Sequence, residues 1–559
     1  MMHHLSTKTK LIVMGATMSA LFLVALDQTI IATALTAIVE EFGSYSSLGF
    51  IVTAYLLMTT VTVPLAGKLG DMYGRKPLLI TGVAIFTIGS LLSGMAPSIE
   101  WLIAWRALQG IGGGIITANA FTIVGDLFAP RERGKWQGLI GAVFGMSSVI
   151  GPLLGGWLTD GQVLFGMTTN WRWTFLINVP IGIIATILIA RFSPKIKHDS
   201  VHKPDYLGAL CITVALSALV LAVDNTEIIF SSLIDGGVSL GLIKGILFTV
   251  AIVAAAAFIQ TERKAKQPIL PLRFFKNRTY SLIIIASLLF GAAFMGAILY
   301  LTQFNQQVFG ADASGAGYML LPMVGGMMVS SITIGRLISR IGRYKQFIIA
   351  GFAMTTLSVL ALLTMQPDSP YWHEALIMVL AGLGMGMCMP ILSLAVQNEF
   401  TQKDLGAATA SVQLFRGLGS TVGTALFAGV LTASFMQSIG APESIAYVAT
   451  LKKSPESAKM LEGEINADTL LQINMRKEAI TKGAEENFAT MPSGVAEPAR
   501  QQFSEQQQEF SDKVVRAFTD ALHHIFAIGA VLMAIALVAV SFIKDKKLRD
   551  APTRATIGE

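Results

Sequence analysis

The sequence predicts an all-α integral membrane protein with fourteen transmembrane helices. Three observations carry that prediction: an apolar composition, fourteen apolar runs of spanning length, and Lys and Arg gathered on alternate loops. Of 559 residues, 53% are hydrophobic and 53 are Gly, while only 14% are charged. Soluble domains carry about 25% charged residues, so this chain lacks the charge to cover a water-facing surface. Its net charge of +6 is scattered in short clusters between apolar runs. That pattern excludes a basic, aromatic-interleaved patch for nucleic acid.

A bilayer core of ~30 Å needs about 20 helical residues. Stretches near 11–35, 47–67, 78–96, 99–124, 137–159, 174–191 and 206–223 qualify, followed by 240–260, 279–302, 315–335, 346–365, 374–396, 405–433 and 517–543. Each must be helical, because lipid offers backbone groups no partner. The first run resembles a signal peptide, with Lys8 and Lys10 ahead of it, but is too long and lacks a small-residue cleavage site. With the N-terminus inside, the cytoplasmic segments carry 28 Lys and Arg, whereas the short outer loops carry only Arg172. Both termini are therefore expected in the cytoplasm, and the protein in the cell membrane. The segment 436–516 falls outside, as a long loop in which Glu456–Ile480 and Pro498–Arg516 read as helical. Phe503, Phe510, Val514 and Phe518 recur there at heptad-like spacing.

Gly67-Lys68-Leu69-Gly70-Asp71-Met72-Tyr73-Gly74-Arg75-Lys76 follows the second run, and Gly335-Arg336-Leu337-Ile338-Ser339-Arg340-Ile341-Gly342-Arg343 follows the tenth. Both keep Gly, Leu and Gly-Arg at the same offsets, eight spans apart. Two similar halves with two helices inserted between them account for this spacing, and paired halves are the plan of secondary transporters. The expected units are a six-helix bundle over 1–200, inserted helices 7 and 8 over 201–275, and a second bundle over 276–435 and 517–543. The outer loop 436–516 and a cytoplasmic tail, 544–559, complete the chain.

The segment Gly67–Lys76 resembles the signature loop of the major facilitator superfamily. Leu26-Asp27-Gln28-Thr29-Ile30-Ile31 resembles the first-helix motif of its fourteen-helix drug:proton antiporter branch, the multidrug and quaternary-ammonium exporter type. Arg106-Ala107-Leu108-Gln109-Gly110 resembles the fourth-helix motif. Gly145 through Gly151-Pro152-Leu153-Leu154-Gly155-Gly156 resembles the fifth-helix antiporter motif, and Trp171–Phe175 with Asn178–Gly182 resembles a segment typical of the branch. The resemblance implies the major facilitator fold: two six-helix bundles plus two inserted helices. It also implies that Asp71 and Arg75 latch the two halves together, and that the fifth-helix glycines form an interface between halves that favours export.

Asp27 lies deep in an apolar run, where a charge costs at least about 2.5–3.5 kcal/mol. At 1.5 Å per residue it sits roughly 24 Å from the cytoplasmic end of its helix, level with Arg106 in helix 4. The expectation is that both face one cavity, where Asp27 exchanges a proton for substrate and Arg106 favours proton release. Asp126 with Arg131 and Arg133 reads as surface ion pairs of under ~1 kcal/mol each. Arg416 is a second cation within a span, and no acid in spans nine to thirteen offers it a partner. Helix-end carbonyls, Gln413 or an anionic part of a substrate remain candidates. Gln28, Gln109, Asn119, Met323 and Met327 are further candidate cavity residues. Met stripes serve either packing or a soft, adaptable site.

No HExxH, P-loop or metal cluster occurs, so the expectation is a transporter without a cofactor, driven by a proton gradient, and not an enzyme. The favoured reading is an antiporter exporting hydrophobic, cationic drugs or other amphipathic compounds. Export of lipid or glycolipid is the alternative within transport. A receptor or assembly factor acting through the outer loop is the alternative outside it. The expected partners are the bilayer, small substrates and protons, with no nucleic acid and no obligatory protein.

Overall fold

A computed structural model describes residues 6–42, 48–159, 161–164, 166–193, 204–223, 226–311, 313–452, 461, 465–489 and 493–548. Fourteen helices among them are long and apolar enough to cross a membrane. They are α1 (Thr7–Phe42), α2 (Leu48–Tyr73), α3 (Arg75–Gly94), α4 (Ile99–Leu127), α5 (Pro130–Thr159), α6 (Asn178–Phe192, after a helical turn at Trp173–Leu176) and α7 (Tyr206–Val223). The rest are α8 (Leu240–Lys264), α9 (Arg278–Gln307), α10 (Leu321–Ile341), α11 (Lys345–Ala361), α12 (Tyr371–Glu399), α13 (Leu405–Ile439) and α14 (Ser493–Ser541). Helix is the form in which such apolar chain satisfies its own backbone.

An even number of crossings brings both ends of the chain to one face, here called the basic face. Helices α1 to α6 pack into one half and α9 to α14 into the other. The inserted α7 and α8 pack chiefly on each other, with α7 also reaching α2 and α13. Lys68 ties α2 to the linker beyond α8 by donating to Gln267 at 2.8 Å. The tail is strapped to the basic face, where Leu548 N–H donates to the Gly342 carbonyl at 2.8 Å and Lys546 pairs with Glu399 at 2.7 Å.

The segment 436–516 departs from a plain loop. Helix α13 continues to Ile439 and α14 begins at Ser493, with short helices at Ala446–Leu451, Ala467–Met475 and Lys477–Phe488 between them. At 1.5 Å per residue the 49 residues of α14 reach about 74 Å, more than twice a bilayer core. Hydropathy sees only the apolar second half of this rod. Its polar first half is held by packing, as Phe503, Phe510, Val514 and Phe518 are buried and Tyr447 packs against Phe503 and Phe510. Part of the helix expected over Glu456–Ile480 lies outside the described residues.

The two halves meet most closely at the basic face, through α5 with α10 and α2 with α13. Small residues permit this approach, as in other membrane helix pairs. A Cβ on Gly138 would lie 2.3 Å from the Ser331 carbonyl oxygen, and one on Gly335 would lie 2.5 Å from that of Gly134. The Ser331 hydroxyl donates to the Gly138 carbonyl at 2.8 Å across the seam. A Gly335→Leu substitution should therefore hold α10 away from α5 while each half still folds. In a background lacking Cys211 and Cys388, a Lys135→Cys/Ser339→Cys pair should cross-link readily, and much more slowly with Gly335→Leu added. Equal cross-linking rates would show that the seam tolerates the side chain.

Candidate functional site

Asp27 occupies the middle of the first half, where five helices converge. Its carboxylate is fully buried and accepts from Arg106 Nη1 at 2.5 Å and from Gln109 Nε2 at 2.8 Å. Both donors stand on α4, three residues apart, and so share a helix face. Arg106 also donates to Gln109 Oε1 at 2.7 Å, and its guanidinium lies 4.3 Å from the Tyr55 ring on α2. Ser90 on α3 accepts from Gln109 at 3.2 Å and from Asn178 on α6 at 3.0 Å, while Asn178 also reaches Asp27 at 3.4 Å. The expected level and pairing of Asp27 and Arg106 hold. The expected exposure to a cavity does not, because the amides and Tyr55 enclose the carboxylate, leaving Gln28 as the exposed neighbour on α1.

Helix α1 is held in register by α5. A Cβ on Gly151 would meet Thr29 Oγ1 at 1.9 Å, and one on Gly155 would meet Thr33 Oγ1 at 2.1 Å. These glycines thus pack inside the first half and position the Asp27 helix, a correction to the expected interface between halves. Gly145 does face the other half, against Met327 and Met328. Pro152 and Gly156 line a cleft with Gly317, Tyr318 and Leu321 at the end of the bundle away from the basic face. On that side, Arg172 donates to Glu41 at 2.7 Å and holds its carboxyl below the usual range.

The signature loop makes a polar junction between the halves, here called the latch, on the basic face. Gly74 takes φ 90°, a conformation that favours glycine, and turns α2 into α3. Arg75 then donates to Asp71, to Asp126 Oδ2 at 3.2 Å and to the Gly67 carbonyl at 3.2 Å. Asp71 also accepts from the Gly406 and Ala407 N–H groups at 2.9 and 2.8 Å. A carboxylate of the first half therefore caps the N-terminus of α13 in the second, where unpaired N–H groups and the helix dipole favour negative charge. Gly67 and Gly70 make room, since a Cβ on Gly67 would lie 2.3 Å from Ala410 and one on Gly70 would meet Arg75. Lys76 donates to the Ser193 carbonyl at 2.6 Å. Asp126, read from the sequence as an incidental surface acid, is a member of this latch because the turn of α4 brings it to Arg75. Arg133 bridges the halves instead, donating to the Gly125 and Gln397 carbonyls at 2.8 and 3.2 Å.

Three further expectations change. Asn119 lines no cavity, since it is buried under the latch and donates to Ile115 at 2.8 Å in its own helix. Met323 and Met327 are buried, with their backbone pressed against Gly382 and Gly386 of α12, so this Met stripe is packing. The second half does contain acids within α12. Glu374 is buried near the end away from the basic face, where Asn305, with its amide turned to donate, reaches both oxygens at 2.8 and 3.0 Å. Its place at the edge of an apolar run hid it, and it stands about 20 Å along the axis from Arg416. Gln413 is buried and donates to Ser393 at 3.2 Å. Arg416 is half-buried, with its guanidinium 5.8 Å from the Phe121 ring and 5.6 Å from the Phe144 ring of the first half.

Sequence reasoning missed Ser90, Asn178 and Tyr55 around Asp27, and Gly134, Gly138 and Ser331 at the seam. Polar residues in apolar runs were available signals, but without helix phases nothing told which of them converge.

Comparison with known proteins agrees with this architecture. Residues 17–424 match the family described as Major Facilitator Superfamily. The chain is 35% identical over 536 residues to "Multidrug transporter protein MdtP" of Bacillus subtilis, covering 95% of this chain and 92% of that protein. It is 33% identical over 468 residues to "Multidrug resistance protein 3" of the same organism, covering 80% and 88%. The solved structure of the proton:xylose symporter XylE shares the fold at a TM-score of 0.56 and 12% identity, covering 97% of this chain and 98% of that one. With the family matched across most of its length, and two six-helix halves joined by two inserted helices among the described residues, this chain belongs to the Major Facilitator Superfamily and is a transporter, not an enzyme.

Proposed function

We propose that the protein is a proton-coupled antiporter that exports hydrophobic and amphipathic compounds by alternating access, needing no cofactor. The excess of Lys and Arg on the basic face supports a cytoplasmic position for that face and for both termini, in the cell membrane. The relatives named as multidrug transporters support varied, apolar cargo. In this structure the halves are sealed at the basic face and Asp27 is held by Arg106.

One observation carries the coupling: a fully buried carboxylate whose two oxygens are shared by Arg106 and Gln109, from a helix that also bears Asp126 of the latch. Protonating Asp27 would release Arg106 and loosen the join of α1 to α4. Proton binding at one level would then change helix packing between two states of the halves. Each charge crossing 100 mV contributes about 2.3 kcal/mol, so one inward proton can drive export against a useful gradient. Cationic cargo can use Asp27 only in a state where Arg106 has let it go.

In proteoliposomes with an imposed pH gradient, the intact protein should concentrate a hydrophobic dye uphill. Asp27→Asn should still exchange dye down its own gradient while losing the response to pH, with uphill accumulation falling at least tenfold. Uphill transport preserved in Asp27→Asn would remove Asp27 from coupling. Asp71→Ala takes away the cap on α13, a charge-assisted pair of bonds worth about 2 kcal/mol. That corresponds to a roughly thirty-fold shift away from the state sealed at the basic face. Cysteine accessibility along α13 at the basic face should rise accordingly, with little change in thermal stability of the purified protein. Unchanged accessibility would make the cap ornamental.

A further inference from the structure

Arg416 differs from every other cation placed deep in the bundle. Arg106 has Asp27, and Arg75 has Asp71 and Asp126. Among the described residues, no carboxylate or carbonyl pairs with the Arg416 guanidinium, which rests on the faces of Phe121 and Phe144. A guanidinium has five N–H donors in a planar fork. Cation–π attraction to the two rings engages the charge but none of these donors, which leaves the edge for an acceptor. The residue stands on α13, eleven residues beyond its first at the basic face, or about 16 Å up. It lies above the seam made by Asp71, Arg133 and the α5–α10 contact.

Its surroundings match an amphiphile. Phe121 and Phe144 lie 6.2 Å apart and belong to α4 and α5, so the guanidinium of one half is seated on aromatic walls of the other. Half-buried Met328 lies against Gly145, one residue beyond Phe144, and keeps the surroundings apolar. Meanwhile the carboxylate that would attract a cation, Asp27, is enclosed and already neutralised by Arg106. The unpaired charge at the junction of the halves is thus positive, and its neighbours are apolar or aromatic.

We propose that Arg416 is an anion-binding subsite at the junction of the two halves, taking a carboxylate, sulfonate or phosphate carried on an aromatic or aliphatic body. This rests on the exporter reading and adds amphiphiles with an acidic group to its cargo. Because the subsite is built from both halves, rocking them apart separates Arg416 from its rings and alters the grip on the anion.

The test compares fluorescein with rhodamine 123, two xanthene dyes of similar body and opposite charge. Binding is measured by fluorescence polarisation on the full-length protein in nanodiscs, without any gradient. Fluorescein should bind the intact protein, about tenfold or more weakly with Arg416→Gln, and with partial recovery in Arg416→Lys. Rhodamine 123 should bind all three within twofold. Fluorescein binding that is absent from the intact protein, unchanged in Arg416→Gln, or lost together with rhodamine 123 would overturn the subsite. Competition identifies the source of the anion. Displacement of fluorescein by dioctanoyl phosphatidylglycerol and not by phosphatidylcholine supports a lipid headgroup at Arg416; displacement by benzoate and naphthalene sulfonate alone supports a soluble organic acid. Since binding is read without transport, a protein that binds fluorescein through Arg416 yet moves neither dye in vesicles removes the exporter reading and leaves the subsite standing.

Discussion

A carboxylate in the interior of a membrane protein must be paired or protonated, and the first half of this molecule is arranged around that constraint. Asp27 draws donors from α4 and α6 and an aromatic wall from α2, while Ser90 of α3 ties those donors together. Breaking one partner of such a pair costs about 3–5 kcal/mol, because a charge is left alone in low dielectric. Five helices therefore hold their relative positions for as long as Asp27 stays ionised. The glycines of α5 extend this order, since their lack of a side chain lets Thr29 and Thr33 of α1 seat against that helix.

The two copies of the signature loop show how one device serves two seams unequally. In the first copy, Asp71 accepts from N–H groups at the start of α13. In the second, Ser339 occupies the matching offset, and its hydroxyl accepts from the Lys135 N–H near the start of α5 at 3.0 Å. Arg131 adds bonds to the Ser339 and Arg340 carbonyls at 3.2 and 3.0 Å. Each half thus bonds to a helix of the other, but only the first contact caps a helix N-terminus and carries charge, with Arg75 held between Asp71 and Asp126. Gly74 and Gly342 both take positive φ at the corresponding turn. The charged contact is the stronger and the more sensitive to the approach of its partner helix. The neutral one relies on close glycine packing between α5 and α10.

Much of this was legible in sequence because the bilayer is a simple solvent. Apolar length gave the spans, basic residues gave the shared face, and equal rise per residue placed Asp27 level with Arg106. What composition could not supply was helix phase. Asn119 and Met323 look like Gln109 in an apolar run, yet only Gln109 faces the carboxylate; the others turn toward α2 and α12. The family resemblance placed Gly151 and Gly155 at an interface between halves, when they pack on α1. The helix over Pro498–Arg516 was legible from the heptad-like spacing of Phe503, Phe510, Val514 and Phe518; what its polar character hid is that it runs unbroken into the last span as α14.

The link between the charge cluster and the latch is mechanical and runs along α2 and α4. Helix α4 carries Arg106 and Gln109 near its middle and Asp126 at its basic end; α2 carries Tyr55 toward one end and Asp71 at the other. Between those points the two helices touch at backbone distance, since a Cβ on Gly110 would lie 2.5 Å from the Tyr55 carbonyl and one on Gly114 would lie 2.8 Å from that of Thr59. Thr59 also donates to the Gly110 carbonyl at 3.1 Å. A pair packed so tightly moves as one body, so a change at Asp27 that shifts Arg106 is delivered at Asp71 and Asp126 without a chain of side-chain rearrangements. Under the proposed exchange between two discrete states, the cap on α13 would then stay or part as a unit.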